Sequence, residues 1–128
     1  MNRKGFTLIE LILVIAILGI LAISALPRFL DLSTSAEHAS RDGVVGAVRS
    51  GVALYRANDM VTNGGSGAYP TTIGTNATTS PCIDCFDTVL SSGVNDASWT
   101  KDAATTYSFN DGTSTFSYTY TPADGTFE

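Results

Sequence analysis

Sixteen consecutive residues, Leu11 to Leu26, carry no charge, and between Phe6 and Leu26 the only charged side chain is Glu10. About 20 residues of this kind match a hydrocarbon layer roughly 30 Å thick. The first 26 residues therefore cannot all belong to a water-soluble core, and the remaining hundred or so make one small domain rather than two. The formal charge of −5, with seven scattered Lys and Arg, argues against nucleic acid and suggests no polyanion partner, because phosphate recognition needs a basic face.

Three roles fit the N-terminal run. Arg3 and Lys4 before an apolar stretch, with small residues at Ala22-Ile23-Ser24-Ala25, fit a secretory signal. An uncleaved single-span anchor, its positive residues held on the cytoplasmic side, fits equally. Neither explains Glu10, because a carboxylate costs roughly 2.5 to 3.5 kcal/mol near the middle of a membrane helix. Cutting the chain between Gly5 and Phe6 would create a partner, the new α-amino group of Phe6, in the same chain or a neighbour. Both charges would then be buried together, and either one alone would be penalised.

Lys4-Gly5-Phe6-Thr7-Leu8-Ile9-Glu10, followed by the apolar run and Pro27, resembles the class III signal of type IV pilins and type II secretion pseudopilins. The resemblance implies cleavage after Gly5 by a prepilin peptidase that also N-methylates Phe6. It also implies assembly through Glu10 into a helical homopolymer. It places the precursor and subunit pool in the inner membrane, with lipid and the assembly machinery as partners, and the assembled fibre on the cell surface. PRFLDLSTSAEHASRDGVVGAV is similar to pilins of the mannose-sensitive haemagglutinin type, whereas YRANDMVTNGGSGAYPTT resembles the helix-to-loop junction of the major pseudopilin. A pilus subunit is the first reading and a secretion pseudopilin the second; a membrane-anchored periplasmic redox or binding protein is the competitor from another class.

The expected organisation is a leader over 1–5, a hydrophobic transmembrane and assembly helix over 6–27, and a globular domain over 28–128. The domain divides into an amphipathic helix (28–60), a loop region (61–104) and a β-sheet (105–128). Pro27 should interrupt the helix, since it removes an amide donor and clashes with the carbonyl four residues earlier, and Gly19 weakens the same interval. The resemblance implies local melting between Gly19 and Pro27 in assembled fibres. Phe29, Leu32, Ala36, Ala39, Val45, Val48, Val52 and Tyr55 recur at helical spacing and form one face. Arg41, Arg49, Arg56, Asp42 and Asp59 fall mostly elsewhere and are expected to face water. Gly43, Gly46 and Gly51 read either as sites of close helix packing in the fibre or as a weak helix with a local kink. A helix from Phe6 to Met60 would be on the order of 80 Å long.

The Gly-, Ser-, Thr- and Asn-rich segment from Thr62 to Cys85 reads as a long loop. Phe86 to Trp99 leaves helix and strand open. Tyr107 and Phe109, then Phe116, Tyr118 and Tyr120, alternate with Ser and Thr around an Asn110-Asp111-Gly112-Thr113 turn. A second turn at Pro122-Ala123-Asp124-Gly125 precedes a short edge strand. The expected fold is α+β, a long N-terminal helical spine packed on a small antiparallel sheet whose aromatic stripe is core, the pilin fold of the resemblance.

No catalytic constellation is legible, and the chain reads as a non-enzyme without cofactor. A Cys-X-X-Cys pair such as Cys82–Cys85 can exchange disulfides, but Pro81 precedes it and no βαβ pattern surrounds it. A structural disulfide is preferred to a redox site, although its spacing is shorter than the resemblance implies. Two cysteines with distant His38, expected to be solvated, cannot complete a zinc site, and Phe86 after Cys85 excludes haem attachment. Asp111 and Asp124 read as turn residues rather than calcium ligands, leaving no metal expected. Asn76-Ala77-Thr78 matches a glycosylation sequon.

Overall fold

The computed structural model describes residues 4–128, so Met1, Asn2 and Arg3 of the expected leader lie outside the described residues. Leu and Ala are strong helix formers, and the segment they dominate becomes one helix, α1 (Leu8–Asn63). The expected interruption is not found, because both Gly19 and Pro27 lie inside this single helix. A proline removes only one amide donor, and here Leu21, Ala22, Leu26 and Leu30 surround it with residues that favour helix.

The chain divides into two compact units, Met1–Ala36 and Glu37–Glu128. In the first, every large apolar side chain from Phe6 to Leu32 is exposed. This helix is long and apolar enough to cross a membrane. Phe29 and Leu32, expected on a buried face, stay uncovered here.

The second unit contains the remainder of α1 and five strands: β1 (Ser80–Cys85), β2 (Val94–Lys101), β3 (Thr106–Asn110), β4 (Thr115–Thr121) and β5 (Thr126–Phe127). They form an antiparallel meander in the order β1-β2-β3-β4-β5. The hairpin β3–β4 pairs in register from Thr106↔Thr119 to Asn110↔Thr115. Asp111 to Ser114 close it, as the Asn-Asp-Gly-Thr turn leads one to expect. Alternation places Tyr107 and Phe109 of β3 and Tyr120 of β4 fully in the core, with Phe116 and Tyr118 half-buried beside them.

Val45, Val48 and Val52 of α1 cover that face. Gly51 lies between them because a Cβ there would overlap the Val89 carbonyl oxygen. Its neighbours Gly43 and Gly46 would meet nothing within 4 Å. Of the three glycines, only Gly51 is therefore a packing residue within the subunit. Tyr55, expected on the inner face, is exposed.

The sheet begins at Ser80, well before the expected boundary at 105, because β1 and β2 both lie within the segment read as loop. Two register irregularities divide β1, after Pro81 and after Cys82. Asp84 and Phe86 adopt left-handed φ values of 66° and 64°. Gly93 packs so closely on the Asp84 backbone that a Cβ would lie 2.9 Å from it. In β2 the inward positions are Trp99 and Lys101. Lys101 is buried and its ammonium donates to the Gly74 and Asn76 carbonyls at 2.6 and 2.9 Å, which fastens the preceding loop to the sheet. Tyr107 lies nearby, its hydroxyl pushed up to about 12, first by burial and then by the charge of Asp87.

Candidate assembly site

At the mouth of the apolar run, Thr7 stands immediately before α1 and Glu10 three residues later. The Thr7 N–H donates to Glu10 Oε2 at 2.8 Å, and the Thr7 hydroxyl donates to the same oxygen at 2.9 Å. The Glu10 N–H returns a bond to Thr7 Oγ1 at 3.3 Å. This reciprocal arrangement is a capping box, which satisfies amide donors that a helix start leaves unpaired. The Thr7 carbonyl takes the first turn's bond from Leu11 N–H at 3.3 Å.

The box gives Glu10 a partner within its own chain while Phe6 is still joined to Gly5. The spacing Thr-X-X-Glu that makes the box is visible in the sequence, and it gives Thr7 a role beside the assembly role expected of Glu10. Phe6 projects freely, with 90% of its surface exposed. Gly5 and Phe6 therefore lie beside a capped helix end whose single carboxylate is already ordered.

In the second unit Cys82 and Cys85 are joined by a disulfide, and both are buried. The three arginines that α1 contributes to this unit do not simply face water. Arg41 lies over the Phe116 ring at 4.5 Å, and Arg49 Nε donates to the Phe127 carbonyl at 2.9 Å. Arg56 lies 4.7 Å from the Tyr69 ring centre, donates to the Tyr69 hydroxyl at 2.5 Å and to the Ser66 carbonyl at 3.1 Å. Asp59 accepts the Ala68 N–H at 2.8 Å and the Asn63 side-chain amide at 2.7 Å, bonds that hold its carboxyl below the usual range.

His38 is likewise not simply solvated. Its Nε2 lies 3.0 Å from Asp111 Oδ2, and its ring meets Phe116 edge-on at 5.5 Å. Asp111 accepts the Ser114 and Thr113 N–H groups as well, and these bonds, with His38, lower its carboxyl to about 2. Asp124 accepts from the Thr126 N–H and hydroxyl at 3.0 and 2.8 Å. Both aspartates thus act as turn residues. Asn76 of the sequon donates its side-chain amide to the Ile83 carbonyl.

Residues 1–26 match the family model of the prokaryotic N-terminal methylation motif. The chain is 42% identical over 99 residues to the type IV narrow pilus major component PilA5 of Thermus thermophilus, an alignment covering 69% of this chain and 85% of that protein. It is 40% identical over 74 residues to the type IV major alpha-pilin of Moraxella bovis, covering 56% of this chain and 46% of that one. It is 45% identical over 56 residues to the type IV major pilin protein PilE1 of Neisseria gonorrhoeae, covering 44% and 34% respectively. The alignments thus span less than half the length of the Moraxella and Neisseria proteins. No solved structure gives a significant match.

An exposed apolar helix, a methylation motif at its start and an α+β domain behind it define a pilus-type structural protein. The chain belongs to the type IV pilin family. Its relatives are structural pilins, and it is not an enzyme.

Proposed function

We propose that the chain is made as an inner-membrane precursor, cut between Gly5 and Phe6 by a prepilin peptidase, N-methylated on Phe6 and polymerised through α1 into a surface fibre. Residues 1–5 are then the removed leader, 6–27 the membrane and assembly segment, and 28–128 the displayed domain. Glu10 accepts the new Phe6 amine, and the pair is buried among neighbouring helices. The interval between Gly19 and Pro27, one continuous helix in the subunit, is where the proposed fibre loosens its backbone.

One observation carries this reading: an uncovered apolar run, residues 8–26 of α1, whose only carboxylate is ordered beside the Gly5–Phe6 junction. The likeness to a narrow-pilus component across 85% of that protein favours a pilus over a secretion pseudopilus. Mass spectrometry of subunits from sheared surface fibres tests it. A chain beginning at methylated Phe6 supports the proposal; an intact Met1 or a start near Ser24 contradicts it.

A further inference from the structure

The charges of the second unit are unevenly placed. Outside α1 it carries seven acids, Asp84, Asp87, Asp96, Asp102, Asp111, Asp124 and Glu128, and one cation, Lys101, which is buried. The cations that reach solvent, Arg41, Arg49 and Arg56, are all on α1.

Two features on opposite edges of the sheet match each other in chemistry. On the β1 edge, the buried Cys82–Cys85 disulfide turns Ile83 and Asp84 outward. Ile83 is 66% exposed, the one large apolar side chain so exposed in the second unit outside α1. The tip is held in place, since Asn76 donates to the Ile83 carbonyl and Gly93 packs on the Asp84 backbone.

At the other edge, between α1 and the β4–β5 turn, lies a groove of about 370 Å³. Val52 and Met60 supply apolar lining, and Arg49, Arg56 and Tyr69 supply donors. Arg49 engages Phe127 through Nε, leaving its terminal amino groups for an outside acceptor. Asp124 also lines the groove as a carboxylate whose Oδ1 is held by Thr126, so two arginines outweigh one acid there. The groove therefore suits one aliphatic side chain accompanied by one carboxylate, which is what the tip presents.

We infer that the Ile83–Asp84 tip of one copy docks in the Arg49–Arg56 groove of a second copy of this chain. The inference rests on the polymer proposed above and adds a contact made by the displayed domains rather than by the apolar helices. Plug and socket lie on different edges, so the contact is heterologous, and repetition without closure gives an open filament. Opposite charge also sets register and disfavours like-to-like pairing of acidic faces.

Full-length chain carrying the photoreactive residue p-benzoylphenylalanine in place of Ile83 tests this in assembled fibres. Irradiation should join copies between position 83 and peptides containing Val52 to Met60 or Tyr69. Fibres that cross-link only elsewhere, or not at all, overturn the docking while leaving the polymer standing. Failure of the unaltered chain to form fibres overturns the polymer and the docking together. As a second arm, Asp84→Arg should lower fibre yield severalfold while the Cys82–Cys85 disulfide and the helical circular dichroism persist; full fibre yield from that variant contradicts the inference.

Discussion

Thr7 and Glu10 cap each other: Glu10 Oε2 accepts the Thr7 N–H at 2.8 Å, and Thr7 Oγ1 accepts the Glu10 N–H at 3.3 Å. The carboxylate that looks anomalous in an apolar sequence thus has a local function before any cleavage or assembly. It closes the helix start at the junction where the proposed cut falls. The two functions separate experimentally, because capping needs Thr7 and an acceptor at position 10, whereas pairing with an amine needs a negative charge at position 10.

Thr7→Ala removes the cap and keeps the charge. Losing a capping side chain costs about 1 kcal/mol, so local opening of the first turn should rise on the order of fivefold. Hydrogen exchange at the Glu10 and Leu11 amides, both bonded to Thr7 and measured in detergent micelles, checks this. Fibre assembly should persist, since the Glu10 carboxylate remains.

Gly51 and Gly46 should respond oppositely to alanine. At Gly51 the new methyl overlaps the Val89 carbonyl, and overpacking of this kind costs about 1–3 kcal/mol. At Gly46 the methyl meets nothing, so the substitution gains roughly 1 kcal/mol of helix propensity. Urea unfolding of the full chain in detergent, followed by near-ultraviolet signals from Trp99, should move the midpoint down for Gly51→Ala and up for Gly46→Ala.

Acid should weaken the domain through Asp111. Its carboxyl is lowered to about 2 by the Ser114 N–H first, then by His38 and the Thr113 N–H, against an unfolded value of about 4. A depressed folded value means that the stabilisation is fully present above pH ~4 and is lost as the pH falls toward 2. Asp111→Asn keeps an acceptor for the turn amides but does not titrate, so it should flatten part of the stability loss in that window. The rest should remain, because Asp59 and Asp124 are lowered by bonds of their own. Unfolding midpoints at a series of pH values between 2 and 6 check the difference.

The legible parts of the fold were those where one residue type served one face. Tyr107, Phe109 and Tyr120 alternate with small polar residues, and Asp111-Gly112 marks the turn, so β3 and β4 could be read directly. β1 and β2 could not, since their inward positions are the two cysteines, Trp99 and a lysine whose charge is satisfied only by distant carbonyls of Gly74 and Asn76. Arg49 and Arg56 were read as solvent-facing because a helical wheel shows which way a side chain leaves the helix. It does not show that Phe127 and Tyr69 will be folded back within its reach. At the N-terminus the motif marks Glu10 at once, whereas the capping role of Thr7 emerges from its N–H and hydroxyl meeting on one carboxylate oxygen.

Glu10→Gln tests the central claim most directly, because glutamine can complete the capping box but cannot pair with an amine as a carboxylate does. The measurement is the yield of surface fibres by electron microscopy, beside the amount of subunit inserted in the membrane. The account predicts normal insertion, a protected first turn and loss of most or all fibres. Fibres at the unaltered level would contradict it and leave Glu10 as a helix cap alone.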